Sequence, residues 1–272
     1  MSVPDPDPDP DRTLEYAGAS ILIFADSTTA CHAAAGRFAD MLGVALRARG
    51  RAVLGLATGA TPVRLYASLV ARHRRGELSF ADAATYNLDE YYPISPFDPK
   101  SYRSYMHRHL FGHVDLAPNR AHLLDGTVPE AFAAEHAAQY DRWIAADGGL
   151  DLQLLGIGRN GHIGFNEPTD LPVAETLALP TRLVDLHPIT RADASRDFGA
   201  EDKVIPRALT LGVAPILSAR SILVLAFGAN KADAVARSLT GAMTSQVPGS
   251  LLQSVPGRVT WIVDAEAARD LA

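Results

Sequence analysis

Apolar runs of about six residues recur along this chain, and most are followed by a stretch whose apolar positions are spaced for a helix. SILIFA (20–25) precedes an Ala-rich helical stretch reaching about Arg49, and AVLGLA (52–57) precedes TPVRLYASLVARH. ATYNLDE (84–90) is followed by a helix near SYRSYMHRHLF, and AHLLDG (121–126) by one running through Trp143. DLQLLGIG (151–158) leads into RNGHIGFNEP; SILVLAFG (221–228) precedes the helix NKADAVARSL, and RVTWIVD (258–264) closes the series. Strands that are apolar throughout, alternating with amphipathic helices, indicate a parallel sheet covered on both faces. With no linker and no fixed-period repeat, the pattern predicts an α/β fold: a single doubly wound domain over 13–272, with a mostly parallel central sheet and helices on both faces. The first dozen residues, MSVPDPDPDPDR, are read as a disordered acidic Asp-Pro tail (1–12), because they hold nothing to bury and alternate prolines remove backbone donors.

Ligands of such sheets bind outside the carboxyl ends of the strands. Four strand ends here are polar or glycine-bearing. In ATGATP, Thr58, Gly59, Ala60 and Thr61 stand ahead of Pro62, which suits the first turn of a helix. Free N–H groups and two hydroxyls there form a receptor for phosphate or carboxylate; a plain turn with a threonine cap explains the same residues equally well. In NLDEYY, Asp89 and Glu90 are adjacent on a strand, so they point to opposite sides and one of them faces a pocket. Such a carboxylate serves as a general base or caps a turn. In FGANK, Lys231 opens a helix, where it opposes the dipole unless an anion is near; Arg196 is a further candidate cation, and solvation accounts for either alone. In LLGIGRNGHIGFNEP, Asn160, His162 and Glu167 fall among Gly156, Gly158, Gly161 and Gly164. An imidazole with a carboxylate to orient it and an amide that cannot titrate reads as an acid/base relay rather than a metal site.

Composition narrows the partners. Across 272 residues, 47% are hydrophobic and 21% charged, an ordinary globular balance. The net charge of −6 argues against nucleic acid and anionic membranes, so an anionic ligand must be held by a local cluster of donors. No apolar run reaches the roughly 18 residues of a membrane span, and no secretory signal pattern opens the chain, so a cytoplasmic protein is expected. The single cysteine, Cys31, sits in a helical stretch and reads as buried and inert, which leaves no intrachain disulfide. His107, His109 and His113 lie close together, but no catalytic glutamate intervenes and Gly112 frays the helix; no metal is expected there.

Taken in order, ATGATPVRLY, NLDEYYPISPFDPKSYRSYMHRHLFGHVD, LLGIGRNGHIGFNEP, ALTLGVAPILSARSILVLAFGANKADAV and VPGSLLQ resemble the glucosamine-6-phosphate deaminases, over residues from about 20 to about 265. The related 6-phosphogluconolactonases share the fold and a G-x-G-x-x-G-H segment, but GFNEP looks like the deaminases. The resemblance implies conversion of glucosamine 6-phosphate and water to fructose 6-phosphate and ammonia, with no metal or organic cofactor. By the same resemblance Asp89 is the base that moves a proton between C2 and C1, and His162 assists opening of the pyranose ring. Glu167 and Asn160 support His162, while Thr61, Arg196 and Lys231 contact phosphate with the amides around Gly59 and Ala60. The expected partner is therefore a small amino-sugar phosphate. Subunit number stays open, since enzymes of this kind range from single chains to homo-oligomers.

Three departures from the family pattern stand out. Some relatives carry aspartate where Asn160 stands, and a second glycine is common where Ala60 stands. The segment TDLPVAETLALPTRL is longer and more apolar than the usual Ser/Arg-rich stretch, so the pattern for allosteric activation by an acetylated sugar phosphate does not carry over. The competing readings are a lactonase, a galactosamine-phosphate enzyme of the same fold, or a non-catalytic sugar-phosphate sensor.

Overall fold

A computed structural model describes residues 7–271. In chain order the elements begin with β1 (Arg12–Tyr16), β2 (Ala19–Phe24), α1 (Ser27–Arg49), β3 (Ala52–Leu56) and α2 (Val63–Arg74). Next come β4 (Ala83–Asn87), β5 (Asp89–Tyr92), α3 (Tyr102–His109), β6 (Ala121–His122), α4 (Glu130–Ala146) and β7 (Leu152–Gly156). The last third holds α5 (Val173–Leu177), β8 (Arg182–Asp185), α6 (Pro188–Phe198), β9 (Arg207–Thr210) and α7 (Val213–Leu217), then β10 (Ser221–Ala226), α8 (Ala232–Thr240) and β11 (Val259–Asp264).

The main sheet has eight strands in the order β1-β2-β11-β10-β7-β3-β4-β6, parallel except for β1 against β2. This is the doubly wound, mostly parallel α/β architecture that the alternating runs predict. Central strands are apolar because helices cover them: β3 is buried at every position, and β10 at all but its first. Helix α1 packs against β2, β3, β10 and β11. Its ends follow local rules. Asp26 accepts the Thr28 and Thr29 N–H groups at 2.7 and 2.9 Å, and Gly50 closes the helix in the left-handed region at φ 68°.

Four features differ from the sequence pattern. Of the expected tail, residues 1–6 lie outside the described residues, while at its other end Asp11 N–H bonds Ile23 O and Arg12 already belongs to β1. RTLEY alternates polar and apolar positions, as an antiparallel edge strand does. Ala17 and Gly18, both at positive φ, make its two-residue turn. The run AHLLDG pairs only through Ala121 and His122; beyond them Leu123 and Leu124 pack inward without a partner strand. Most consequential, ATYNLDE is two strands. Leu88 N–H still bonds Leu56 O in the main sheet, but Leu88 O accepts Leu211 N–H, and from Asp89 the chain pairs with β9. β5, β9 and β8 form a separate antiparallel sheet, built over the carboxyl ends of the main strands. A small apolar core (Tyr91, Ile94, Phe165, Leu186, Ala208) supports it.

Candidate active site

A cavity of about 820 Å³ opens where β3, β4, β7 and β10 end. Thr58, Gly59, Ala60, Thr61, Asp89, His162, Arg196 and Lys231 all line it, so four strand ends do converge. A second cavity of about 470 Å³ lies at the opposite ends of β3 and β4, among Arg49, Arg51, Asp82, Arg120 and Asp147, and contains none of these residues.

The switch at Leu88 places Asp89 as the first residue of β5, opposite Thr210, with only 5% of its surface exposed. Burial pushes its carboxyl up to about 8; the Glu90 charge adds to this and the Thr58 hydroxyl opposes it. Glu90 points the other way. It accepts backbone N–H groups of Tyr91, Tyr102 and Arg103 at 3.0, 2.8 and 3.0 Å, the last two at the start of α3. Burial raises it to about 7, against those three donors. One carboxylate therefore faces the cavity and its neighbour holds a helix start, as strand geometry requires.

The glycine-rich segment after β7 presents His162. Gly158 matters here because a Cβ on it would overlap the imidazole ring; its hydrogen lets the ring lie flat against the backbone. Gly161 and Gly164 take positive φ, 87° and 56°, which folds the segment back on itself. Asn160 Oδ1 lies 2.8 Å from His162 Nδ1, Thr190 Oγ1 3.2 Å and Glu167 Oε2 3.3 Å. A carbonyl and a carboxylate only accept, so Nδ1 carries the proton. Nε2, which no described residue bonds, is then the free base. Asn160 Nδ2 and Thr190 Oγ1 donate to the two Glu167 oxygens at 2.9 and 2.6 Å. Burial alone would raise Glu167, but hydrogen bonds from His162, Thr190 and Asn160 outweigh it and hold the carboxyl at about 2. Among the three residues singled out in this motif, His162 alone lines the cavity. Asn160 and Glu167 stand behind it, against its Nδ1 edge and off the cavity wall.

At the other side of the cavity α2 begins just after Thr61, and Tyr105 Oη holds the loop by donating to Gly59 O at 2.7 Å. No threonine side chain caps this helix, so the plain-cap explanation of ATGATP fails. Lys231 stands before α8. Burial lowers its pKa, Asp193 opposing and Arg159 reinforcing the shift. Arg159 and Asp193 also line the cavity and pair at 2.8 Å.

Thr190, Arg159, Asp193 and Tyr102 are cavity residues that sequence reasoning passed over. Arg159 lies inside the motif and could have been weighed there. Thr190, Asp193 and Arg196 sit on α6, a helix whose polar sequence carries no sign of what it covers. The histidines near 109 are engaged otherwise: His113 Nε2 meets Arg108 O at 2.9 Å and His109 packs on Tyr105, ring centroids 4.4 Å apart. No described group of His, Cys, Asp or Glu is arranged to hold a metal ion, and no described helix is long and apolar enough to cross a membrane.

The family described as glucosamine-6-phosphate isomerases/6-phosphogluconolactonase matches residues 25–261. A glucosamine-6-phosphate deaminase of Rhodopirellula baltica is 46% identical over 235 residues, covering 86% of this chain and 90% of the relative. Glucosamine-6-phosphate deaminase 2 of Bacillus subtilis is 42% identical, with 83% and 88% covered. A solved structure described as a monomeric glucosamine-6-phosphate deaminase superposes with a TM-score of 0.84 at 37% identity, over 92% of this chain and 99% of that one. A Trypanosoma brucei 6-phosphogluconolactonase, 20% identical with a TM-score of 0.75 over 95% of this chain and all of that one, shares the fold.

Proposed function

This chain belongs to the glucosamine-6-phosphate isomerase/6-phosphogluconolactonase family, and we propose that it is a glucosamine-6-phosphate deaminase. The observation that carries the reading is a buried, cavity-facing Asp89 in the same cavity as a tautomer-fixed His162 and the cations Lys231 and Arg196. The phosphate of the sugar rests on Lys231, Arg196, the hydroxyl of Thr61 and the amides around Gly59 and Ala60, while the Thr58 hydroxyl serves Asp89. Its binding energy positions the far end of the molecule.

At that end the pyranose must open. His162 Nε2 takes the proton of the C1 hydroxyl and returns one to the ring oxygen as the C1–O5 bond breaks. Glu167, held ionised at about 2, stabilises the transient imidazolium, and Asn160 keeps the ring in register. Asp89 then removes the C2 proton, giving an enolamine, and delivers that proton to C1, which leaves an imine at C2. Water adds at C2 and ammonia leaves, giving fructose 6-phosphate. A carboxyl raised to about 8 is mostly protonated in the free protein at neutral pH. An amino-sugar ammonium beside it favours the charged form, so the substrate itself generates the base. The same reading makes the protein a cytoplasmic enzyme of amino-sugar catabolism.

The test is direct. Pure protein with glucosamine 6-phosphate should release ammonia and fructose 6-phosphate in equal amounts, without added metal. Faster turnover of galactosamine 6-phosphate, or hydrolysis of 6-phosphogluconolactone without ammonia, would move the assignment to a neighbour within the family.

A further inference from the structure

Helix α6 reaches both working ends of the cavity. Thr190, near its start, is buried at 5% exposure, and its hydroxyl meets Glu167 Oε1 at 2.6 Å and His162 Nδ1 at 3.2 Å. Arg196, six residues on, lines the same cavity, roughly 9 Å further along the helix axis. Between them Asp193 pairs with Arg159 at 2.8 Å, fastening the helix to the loop after β7. The helix ends are fixed as well. His187 Nδ1 accepts the Ile189 N–H at 3.1 Å, and Phe198 packs edge-on to Tyr91 with ring centroids 5.1 Å apart. Capped by its own His187 at the start and packed through Phe198 on Tyr91 at the end, this short helix moves as a rod, not residue by residue.

The hydroxyl of Thr190 has one proton. An ionised carboxylate can only accept, so that proton goes to Glu167, and toward His162 the same oxygen can only accept. Thr190 thus favours the Nδ1–H tautomer and the ionised Glu167 at once. Valine would fill the same space, so packing does not call for a hydroxyl here.

We propose that Thr190 is a positioning residue for the His162–Glu167 pair, and that through α6 it transmits phosphate engagement at Arg196 to that pair. The proposal rests on the reading of Arg196 and Lys231 as phosphate contacts. Thr190→Val should lower kcat about ten- to a hundred-fold with little change in KM, since it removes one hydrogen bond to a charged group. The acid limb of the kcat profile should move to higher pH, because Glu167 loses a donor to its charged form. Thr190→Ser should restore both. A second readout needs no turnover: inorganic phosphate added to the protein should shift the His162 ring signals in NMR, assigned by comparison with His162→Asn. That response should be lost in Thr190→Val and kept in Thr190→Ser; should the valine variant not fold, Thr190→Ala takes its place.

A parental acid limb in Thr190→Val, or a phosphate response equal to the parent's, overturns the proposal, as does a parent whose His162 signals ignore phosphate. A parent that binds phosphate and releases no ammonia refutes the deaminase reading instead, and the NMR comparison still decides the role of Thr190.

Discussion

Replacing Asp89 by asparagine should abolish turnover and stabilise the fold, and the two effects have one cause. The side chain is 5% exposed and burial pushes its carboxyl from 3.8 up to about 8. Because the folded-state value is the higher one, the carboxyl favours the fold below pH 3.8, and that advantage is lost as pH rises toward 8. Each pH unit inside this window costs about 1.4 kcal/mol for a proton bound in the folded state and released in the unfolded one. Between pH 5 and pH 8 the loss is therefore on the order of 4 kcal/mol. Asparagine has nearly the shape of the protonated acid and does not titrate. The stability difference between Asp89→Asn and the parent, measured by urea denaturation, should thus grow by about that amount from pH 5 to pH 8. Ammonia release should fall by about three orders of magnitude, since a positioned base is worth ~10²–10⁴, while inorganic phosphate still binds. A stability difference that stays flat with pH, or a variant that turns over at the parental rate, would refute the reasoning.

Three further outcomes follow from the site. Lys231→Ala should raise KM for the sugar phosphate about ten- to a hundred-fold with a smaller effect on kcat, because its charge is half-buried and serves binding. Gly158→Ala should cripple ammonia release while inorganic phosphate binds as before, since the added methyl overlaps the His162 ring. In Glu167→Gln the sign of the pH effect is the reverse of that for Asp89. Glu167 is held at about 2 against an ordinary 4.5, so its contribution is full above pH 4.5 and fades as pH falls toward 2. Denaturation should show the glutamine variant less stable by about 3 kcal/mol at pH 7, with a smaller gap at pH 3.

What the sequence determined by itself is the frame and the family of chemistry. Apolar strands alternating with amphipathic helices dictate a covered parallel sheet, because such runs can be buried no other way. The four polar strand ends must then share one rim, and the motif residues Asp89, His162, Thr61 and Lys231 do meet there. Local pattern stopped short where a contact joins elements distant in the chain. Nothing in NLDEYY marks Leu88 as the point where the strand leaves one sheet for another; pairing with β9, some 120 residues later, decides that and sends Asp89 into the cavity and Glu90 to α3. Asn160 and Glu167 were legible as partners of His162, yet only the folded loop shows that they stand behind its ring. Thr190 was invisible, since a threonine in a polar helix has no distinguishing pattern until packing lays that helix across the site. Strand and helix periodicity is written in neighbouring residues, whereas pocket geometry and pKa values depend on desolvation and charges brought together across the whole chain, and only tertiary structure supplies those.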